Sequence, residues 1–189
     1  SPLPPLPPPP SLPLPPPHSF SIFNKSRRTP FPVCCCGKRG CKLCSIMKYG
    51  KPKFTSSVTG RGYDVREYCG NQTVFDCSSQ NIIYLCTCQI CGLQYVGKTV
   101  QPLNKRWSRN RMDIKHVQEN ANYVCASPLL VAHVCAGENC REKDLRVQPI
   151  EQATKDNILN REEFWIKELR THYPFGLNDS CPNLDDSIS

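Results

Sequence analysis

The chain has 189 residues, 19 prolines, 14 cysteines and a formal net charge of +8. Thirteen of the prolines lie within residues 1–33, so about 155 residues remain for one core of ordinary size. No apolar run reaches the roughly 18–20 residues of a membrane-spanning helix. The longest, 128–137, is shorter and contains His133, and no charged segment with an apolar stretch behind it marks a signal peptide. The chain opens at Ser1 without a methionine, the beginning expected of a fragment or a processed product.

Residues 1–17 are nearly all Pro, Leu and Ser, which favours polyproline II because proline fixes φ and removes a backbone donor. The expectation is a disordered, Pro-rich arm over 1–33. It would serve as a semi-rigid spacer or as a ligand for Pro-reading domains. Residues 34–78 form a second region that is Cys-rich, basic and short of aliphatics. Eight Lys/Arg oppose three acids between 34 and 76. Such a segment buries little apolar surface and calls for a staple such as zinc. The CxxC pairs Cys41–Cys44 and Cys88–Cys91 favour reduced, metal-binding thiols over a secreted disulfide scaffold.

The pattern changes at Ile82. Runs 82–86 and 93–97 are rich in β-formers, and the segment between them carries Cys88, Cys91 and Gly92, a hairpin with a CxxCG tip. Leu103, Trp107 and Ile114 then mark the apolar face of a helix over 103–119. Arg106, Asn110 and Asp113 follow one another along its flank. Six basic residues, Lys98, Lys105, Arg106, Arg109, Arg111 and Lys115, oppose Asp113 alone in this stretch. A basic strip on a balanced body suggests a polyanion such as DNA. Ser127-Pro128 reads as the cap and first residue of a short apolar helix to 135. Residues 144–151 read as a strand that Pro149 confines to a sheet edge. Asp156 is placed to cap a last helix over 157–171. Strand, strand, helix, helix, strand, helix gives an α+β or mixed α/β sheet of about three strands with helices packed on it.

In the last helix Ile158, Glu162, Trp165 and Leu169 fall within an arc of roughly 60°. Leu159 and Ile166 widen this apolar stripe, so Glu162 sits near its middle while Glu163 points to solvent. A carboxylate placed there needs a partner or a cation. A Glu–Arg pair at the core edge and a functional carboxylate both satisfy that need.

Ile82-Ile83-Tyr84, ten residues, then Tyr95-Val96-Gly97 resembles the signature of the GIY-YIG nuclease family. Lys105-Arg106-Trp107 resembles that family's arginine helix, 161–169 its glutamate helix and Gly176-Leu177-Asn178 its terminal asparagine motif. The resemblance covers about residues 79–180, with 181–189 as a tail. Upstream, Cys36-x4-Cys41-x2-Cys44, Phe54-Thr55-Ser56, Thr59-Gly60, Cys77 and Cys88-x2-Cys91 resemble the endonuclease region of Penelope-like retroelements.

The resemblance implies a small three-stranded antiparallel sheet flanked by helices, and one-metal phosphodiester hydrolysis that nicks DNA. It implies that Tyr84 and Tyr95 flank the site and that one of them helps to activate water. Arg106 contacts the scissile phosphate, Glu162 holds one Mg²⁺, and Asn178 shapes the pocket from the C-terminal side and joins the DNA-binding set. The implied partners are DNA and the reverse transcriptase portion of the same element, in the nucleus or cytoplasm. Two departures are Ile82 in place of glycine and Asn110 in place of a proton-transferring histidine or tyrosine. His116 and His133 are possible substitutes, and His133 matches a histidine of this group's second helix. The Asn110 departure supports an alternative, a catalytically impaired zinc-containing nucleic-acid-binding module. For structural Zn²⁺, one set is Cys36, Cys41, Cys44 and Cys77. A second is Cys41, Cys44, Cys88 and Cys91, and buried thiols without metal are a third possibility.

Overall fold

The computed structural model describes residues 33–70, 74–120, 122–136 and 139–179. Residues 1–32 of the Pro-rich arm, with their possible Pro-reading partners, and the tail 181–189 lie outside the described residues. Val33, assigned to the arm by composition, belongs to the folded body: it is buried and bridges to Phe75.

Residues 53–64 form a small hairpin of β1 (Lys53–Thr55) and β2 (Gly62–Asp64). The central sheet holds β3 (Ile82–Cys88), β4 (Gln94–Thr99) and β5 (Leu145–Gln152), ordered β4-β3-β5 and antiparallel throughout. Among the described residues three α-helices accompany the sheet: α1 (Leu103–Glu119), α2 (Pro128–Ala136) and α3 (Ile158–Leu169). This is the α+β fold expected, a three-stranded antiparallel sheet flanked by helices. The middle strand β3 is apolar on both faces, as a strand covered on both sides must be. β3 runs two residues further than expected, to Cys88, while β4 starts one residue later and ends two later, at Thr99, which leaves a tip of residues 89–93.

Pro149 does sit on an edge strand, and it also marks an irregularity. Tyr84 pairs with Pro149 while Ile83 pairs with Glu151, so Ile150 is the extra residue of a bulge.

The Cys-rich segment contributes more apolar surface than its composition promised. Leu43, Ile46, Met47, Phe54, Tyr63, Val65 and Phe75 are all buried in the same core as the sheet. Residues 46–48 lie along the outer edge of β5, with Val147 N–H donating to the Ile46 carbonyl and Lys48 N–H to that of Val147, both at 2.9 Å. Phe54, Tyr63 and Tyr68 stand 4.9–5.2 Å from Trp165, at steep angles to its ring. Ser56 Oγ donates to the Leu169 carbonyl at the end of α3, at 2.8 Å. The β1–β2 hairpin therefore fixes the helix that carries Glu162.

Three local expectations on α3 need correction. Leu159 is 64% exposed, because the apolar stripe is centred on Trp165 and does not reach it. Asp156 caps nothing: the turn closes through Thr154 and Asn157, each backbone N–H donating to the other's side chain. Glu163 is only partly exposed and pairs with Lys167 one turn on.

Candidate active site and metal centres

The register of β3 and β4 sets the site. Tyr84 lies opposite Gly97, and Tyr95 lies two residues before Gly97 on the same face. A Cβ on Gly97 would stand 2.5 Å from the Tyr84 ring and 2.7 Å from that of Tyr95. Only a glycine lets the two rings approach, and their centroids are 6.3 Å apart.

Arg106 reaches both tyrosines from the first turn of α1. Its Nε donates to Tyr84 Oη at 3.3 Å, and its Nη2 to Ser127 Oγ at 3.2 Å. Ser127 Oγ in turn shares a 2.9 Å hydrogen bond with Tyr95 Oη. Ser127 does precede α2, yet its hydroxyl serves this network; its capping role was the only one visible in the sequence. Burial raises the pKa of Tyr84, reinforced by Tyr95 and opposed by Arg106. Burial likewise raises that of Tyr95, against the pull of Ser127 and Arg106. Both phenols are protonated at neutral pH.

Glu162 approaches from α3 on the other side of β4 and forms an ion pair with Lys98. Its side chain is 17% exposed and that of Lys98 35%. The Glu–Arg pair considered for Glu162 exists on its neighbour instead. Glu151 accepts Arg161 Nε at 2.6 Å, Arg161 Nη2 at 2.8 Å and Trp165 Nε1 at 2.5 Å.

A cleft of about 1130 Å³ opens over these groups. Tyr95, Lys98, Arg106 and Glu162 line it, together with Lys105, Arg109 and Arg111. Tyr84 and Asn110 lie beneath it and are fully buried. Asn110 is 1% exposed and its amide stands beside the Tyr84 hydroxyl, although neither amide atom makes a well-aligned hydrogen bond among the described residues.

The structure disperses other expected members. Lys115 lies outside the cleft and pairs with Glu119, while Arg109 and Arg111 are partly neutralised by Asp113 and Glu142. Asn178 is 6% exposed and is not offered to DNA. Its Oδ1 accepts from Val96 N–H at 2.9 Å and its Nδ2 donates to the Val96 carbonyl at 2.8 Å, so it pairs with β4 as a strand residue would. Gly176 makes that approach possible, since a Cβ there would meet the Thr171 carbonyl oxygen at 2.3 Å. His116 packs on Tyr123 far along α1. His133 is not in the cleft at all.

Among the described residues two groups can hold a metal ion such as zinc, and His133 belongs to one of them. The first is Cys36, Cys41, Cys44 and Cys77, the leading expected set. The second is Cys88, Cys91, His133 and Cys140, which replaces the mixed set of Cys41, Cys44, Cys88 and Cys91. In each group the ligand atoms lie within 4.8 Å of one another. In the first, Sγ–Sγ separations of 3.2, 3.5 and 3.6 Å approach the roughly 3.8 Å between sulfurs of a tetrahedral zinc site. Cys35 Sγ also lies 3.5 Å from Cys44 Sγ. In the second, burial opposes ionisation of Cys88, but hydrogen bonds from His133 and the Ile90–Cys91 backbone outweigh it and bring its pKa to about 7. The sequence hid this set because His133 and Cys140 lie on different elements, more than forty residues past the CxxC pair.

A buried tyrosine pair, an arginine and a carboxylate from separate elements around one basic cleft define a candidate phosphate-handling site. The chain is similar to a solved structure, the catalytic domain of the homing endonuclease I-TevI. The likeness has 26% sequence identity, covers 52% of this chain and 96% of that chain, and has a TM-score of 0.41. No family model and no curated protein matches the chain. No helix among the described residues is long and apolar enough to cross a membrane.

Proposed function

We propose that the chain is a divalent-metal-dependent endonuclease that nicks DNA by phosphodiester hydrolysis, of the kind carried by Penelope-like retroelements. The observation that supports it most is the meeting of Tyr95, Arg106 and Glu162, from three elements, in a cleft lined by eight basic residues and one acid. The residues fit a divalent cation at Glu162. Its carboxylate faces the cleft, is balanced by the single ammonium of Lys98, and is the kind of ligand Mg²⁺ takes alongside waters and phosphate. Bound there, the cation supplies charge stabilisation at the phosphate and the leaving oxygen.

The chain's own residues supply the rest. Arg106 gives N–H donors to Tyr84 and Ser127 and also engages Tyr95, and its remaining donors are available to phosphate oxygens. Tyr95 is the tyrosine that reaches the cleft, so it positions the attacking water, while Tyr84 holds Arg106. Water adds to phosphorus, the P–O3′ bond breaks, and a 3′-hydroxyl is left for a polymerase of the same element. The two cysteine-containing groups hold structural Zn²⁺, which suits a nuclear or cytoplasmic, reducing compartment.

The impaired-module reading rests on Asn110; the burial of that residue and its absence from the cleft lining favour the active nuclease. Nicking of supercoiled plasmid with Mg²⁺ tests the proposal. Wild type is expected to convert plasmid to the open circle and Glu162→Gln to leave it supercoiled; equal rates would reject the assignment.

A further inference from the structure

One wall of the cleft comes from neither the sheet nor α1. It is the loop joining Cys36 to Cys41, with the residue after it: Lys38, Arg39 and Lys42 all line the same cleft as Arg106 and Glu162. Resting on the nuclease reading of that cleft, we propose that this loop grips the backbone of duplex DNA across from α1. The first cysteine group is then part of substrate binding as well as of the fold.

The charges support this. Lys98 is paired with Glu162, Arg109 with Asp113 and Arg111 with Glu142. Lys38, Arg39 and Lys42 have no ion-pair partner among the described residues. On the α1 side only Lys105 and Arg106 share that state. Most of the unneutralised charge of the cleft therefore sits on the loop. Two cationic walls facing one another repel, and a polyanion between them removes the repulsion and releases its counterions.

The loop is also built to present charge. Gly37 and Gly40 have φ of 72° and 74°, in the left-handed region, and the Cys41 N–H closes a turn on the Lys38 carbonyl at 3.3 Å. Cys36 and Cys41 anchor its two ends, and Leu43 is buried just beyond it. Lys38, Arg39 and Lys42 are exposed and none of their side chains makes a hydrogen bond within the described residues, so the fold does not need them. Held on a rigid base, they bind at little ordering cost.

The test is duplex-DNA binding by fluorescence anisotropy over a salt series, with the full chain. Lys38→Gln/Arg39→Gln/Lys42→Gln is compared with wild type, with the charge-conserving Lys38→Arg/Arg39→Lys/Lys42→Arg, and with Lys115→Gln outside the cleft. Losing three phosphate contacts should flatten the slope of log K against log salt by about 2–3 and weaken binding at least tenfold at low salt. The charge-conserving variant should keep the wild-type slope, and Lys115→Gln should change it by less than about 1. Nicking by the neutralised variant should suffer in KM more than in kcat. An unchanged slope and affinity would overturn the proposal. So would a flattened slope accompanied by loss of bound zinc, which would make the loop structural. Wild type that binds duplex steeply but never nicks would remove the enzyme reading and leave this one standing; wild type without salt-dependent binding would remove both.

Discussion

The two outer edges of the central sheet are treated differently. Along β5, residues 46–48 supply backbone partners, and Glu151 just beyond is saturated by Arg161 and Trp165. Along β4, the 177–178 segment covers only the start: Leu177 N–H donates to the Gln94 carbonyl and Asn178 engages Val96. Among the described residues no further backbone hydrogen bond reaches 97–99, and there the cleft opens beside Lys98 and Glu162. An unpaired edge is a hazard that folded proteins normally cover. Here the open stretch coincides with the candidate site. The comparison separates two carboxylates packed with the same helix: Glu151 is spent on structure, while Glu162 is held by one ammonium at the rim of a cleft.

The largest expected effect tests that separation directly. Glu162→Gln should reduce Mg²⁺-dependent nicking by more than the roughly 10–100-fold that losing a residue behind a metal ligand costs. It should change unfolding free energy by less than about 1 kcal/mol, because Lys98 is exposed enough to be re-solvated. Glu151→Gln should do the reverse in stability. It strips charge from a buried, bidentate pair, which costs about 3 kcal/mol in urea denaturation. If both variants lose stability equally, the two edges are not distinct in the way argued.

Metal removal sharpens the comparison next. The first cysteine group holds the segment that covers β5, so Cys44→Ser should release one zinc and loosen residues 46–48. The result would be aggregation and proteolysis within the Cys-rich segment. Cys88→Ser should release the other zinc and loosen the β3–β4 tip with the end of α2. Elemental analysis should find two zinc ions per wild-type chain and one in each variant. Two zinc ions in Cys44→Ser, with protease resistance unchanged, would mean that Cys35 or another thiol substitutes.

Much of this arrangement is legible in the sequence, and the failures have physical causes. The hairpin, the edge position of Pro149 and the helix registers follow from local periodicity and spacing, while the first cysteine group, which reaches on to Cys77, follows from the resemblance of the Cys-rich segment to a known family. Periodicity also placed Glu162 against the core, whereas Arg106 was brought to the tyrosines by the resemblance of its motif and not by its spacing. What escaped depends on contacts remote in the chain. His133 and Cys140 meet Cys88 only after α2 and β5 are packed. Ser127 looks like an ordinary cap until Tyr95 and Arg106 converge on its hydroxyl. Asn178 reads as a pocket residue, because nothing local shows that its amide will serve as a strand partner for Val96. The apolar residues of the Cys-rich segment are too scattered for either period, although Trp165 gathers Phe54, Tyr63 and Tyr68 around itself.

A moderate effect is expected at Gly97, on the open edge. Gly97→Ala places a methyl 2.5 Å from the Tyr84 ring, and that ring is fully buried with nowhere to go. Overpacking of this kind costs about 1–3 kcal/mol. Because the same shift moves Tyr84 away from Arg106, nicking should fall by roughly 10²-fold, the penalty of a small misplacement in a catalytic site. Gly62→Ala serves as the control, since its added methyl meets nothing closer than 3.9 Å. A Gly97→Ala protein that nicks like wild type would show that the Tyr84–Arg106 contact is not needed.

The smallest effect is expected at Asn110. It is buried one turn after Arg106, does not line the cleft, and its amide meets the Tyr84 hydroxyl without good hydrogen-bond geometry. A residue that cannot touch water or phosphate cannot carry their proton, so Asn110→His should change the nicking rate by less than about tenfold in either direction. General acid–base participation would instead be worth about 10²–10⁴-fold. Stability gives an independent reading. Leaving a polar group buried without partners costs about 1–3 kcal/mol, so Asn110→Leu should stabilise the fold by about 1 kcal/mol. A rise in nicking above about 100-fold for Asn110→His would return this position to the chemistry and revive the impaired-enzyme reading. A loss of stability in Asn110→Leu would mean that the amide does have a partner, the Tyr84 hydroxyl beside it.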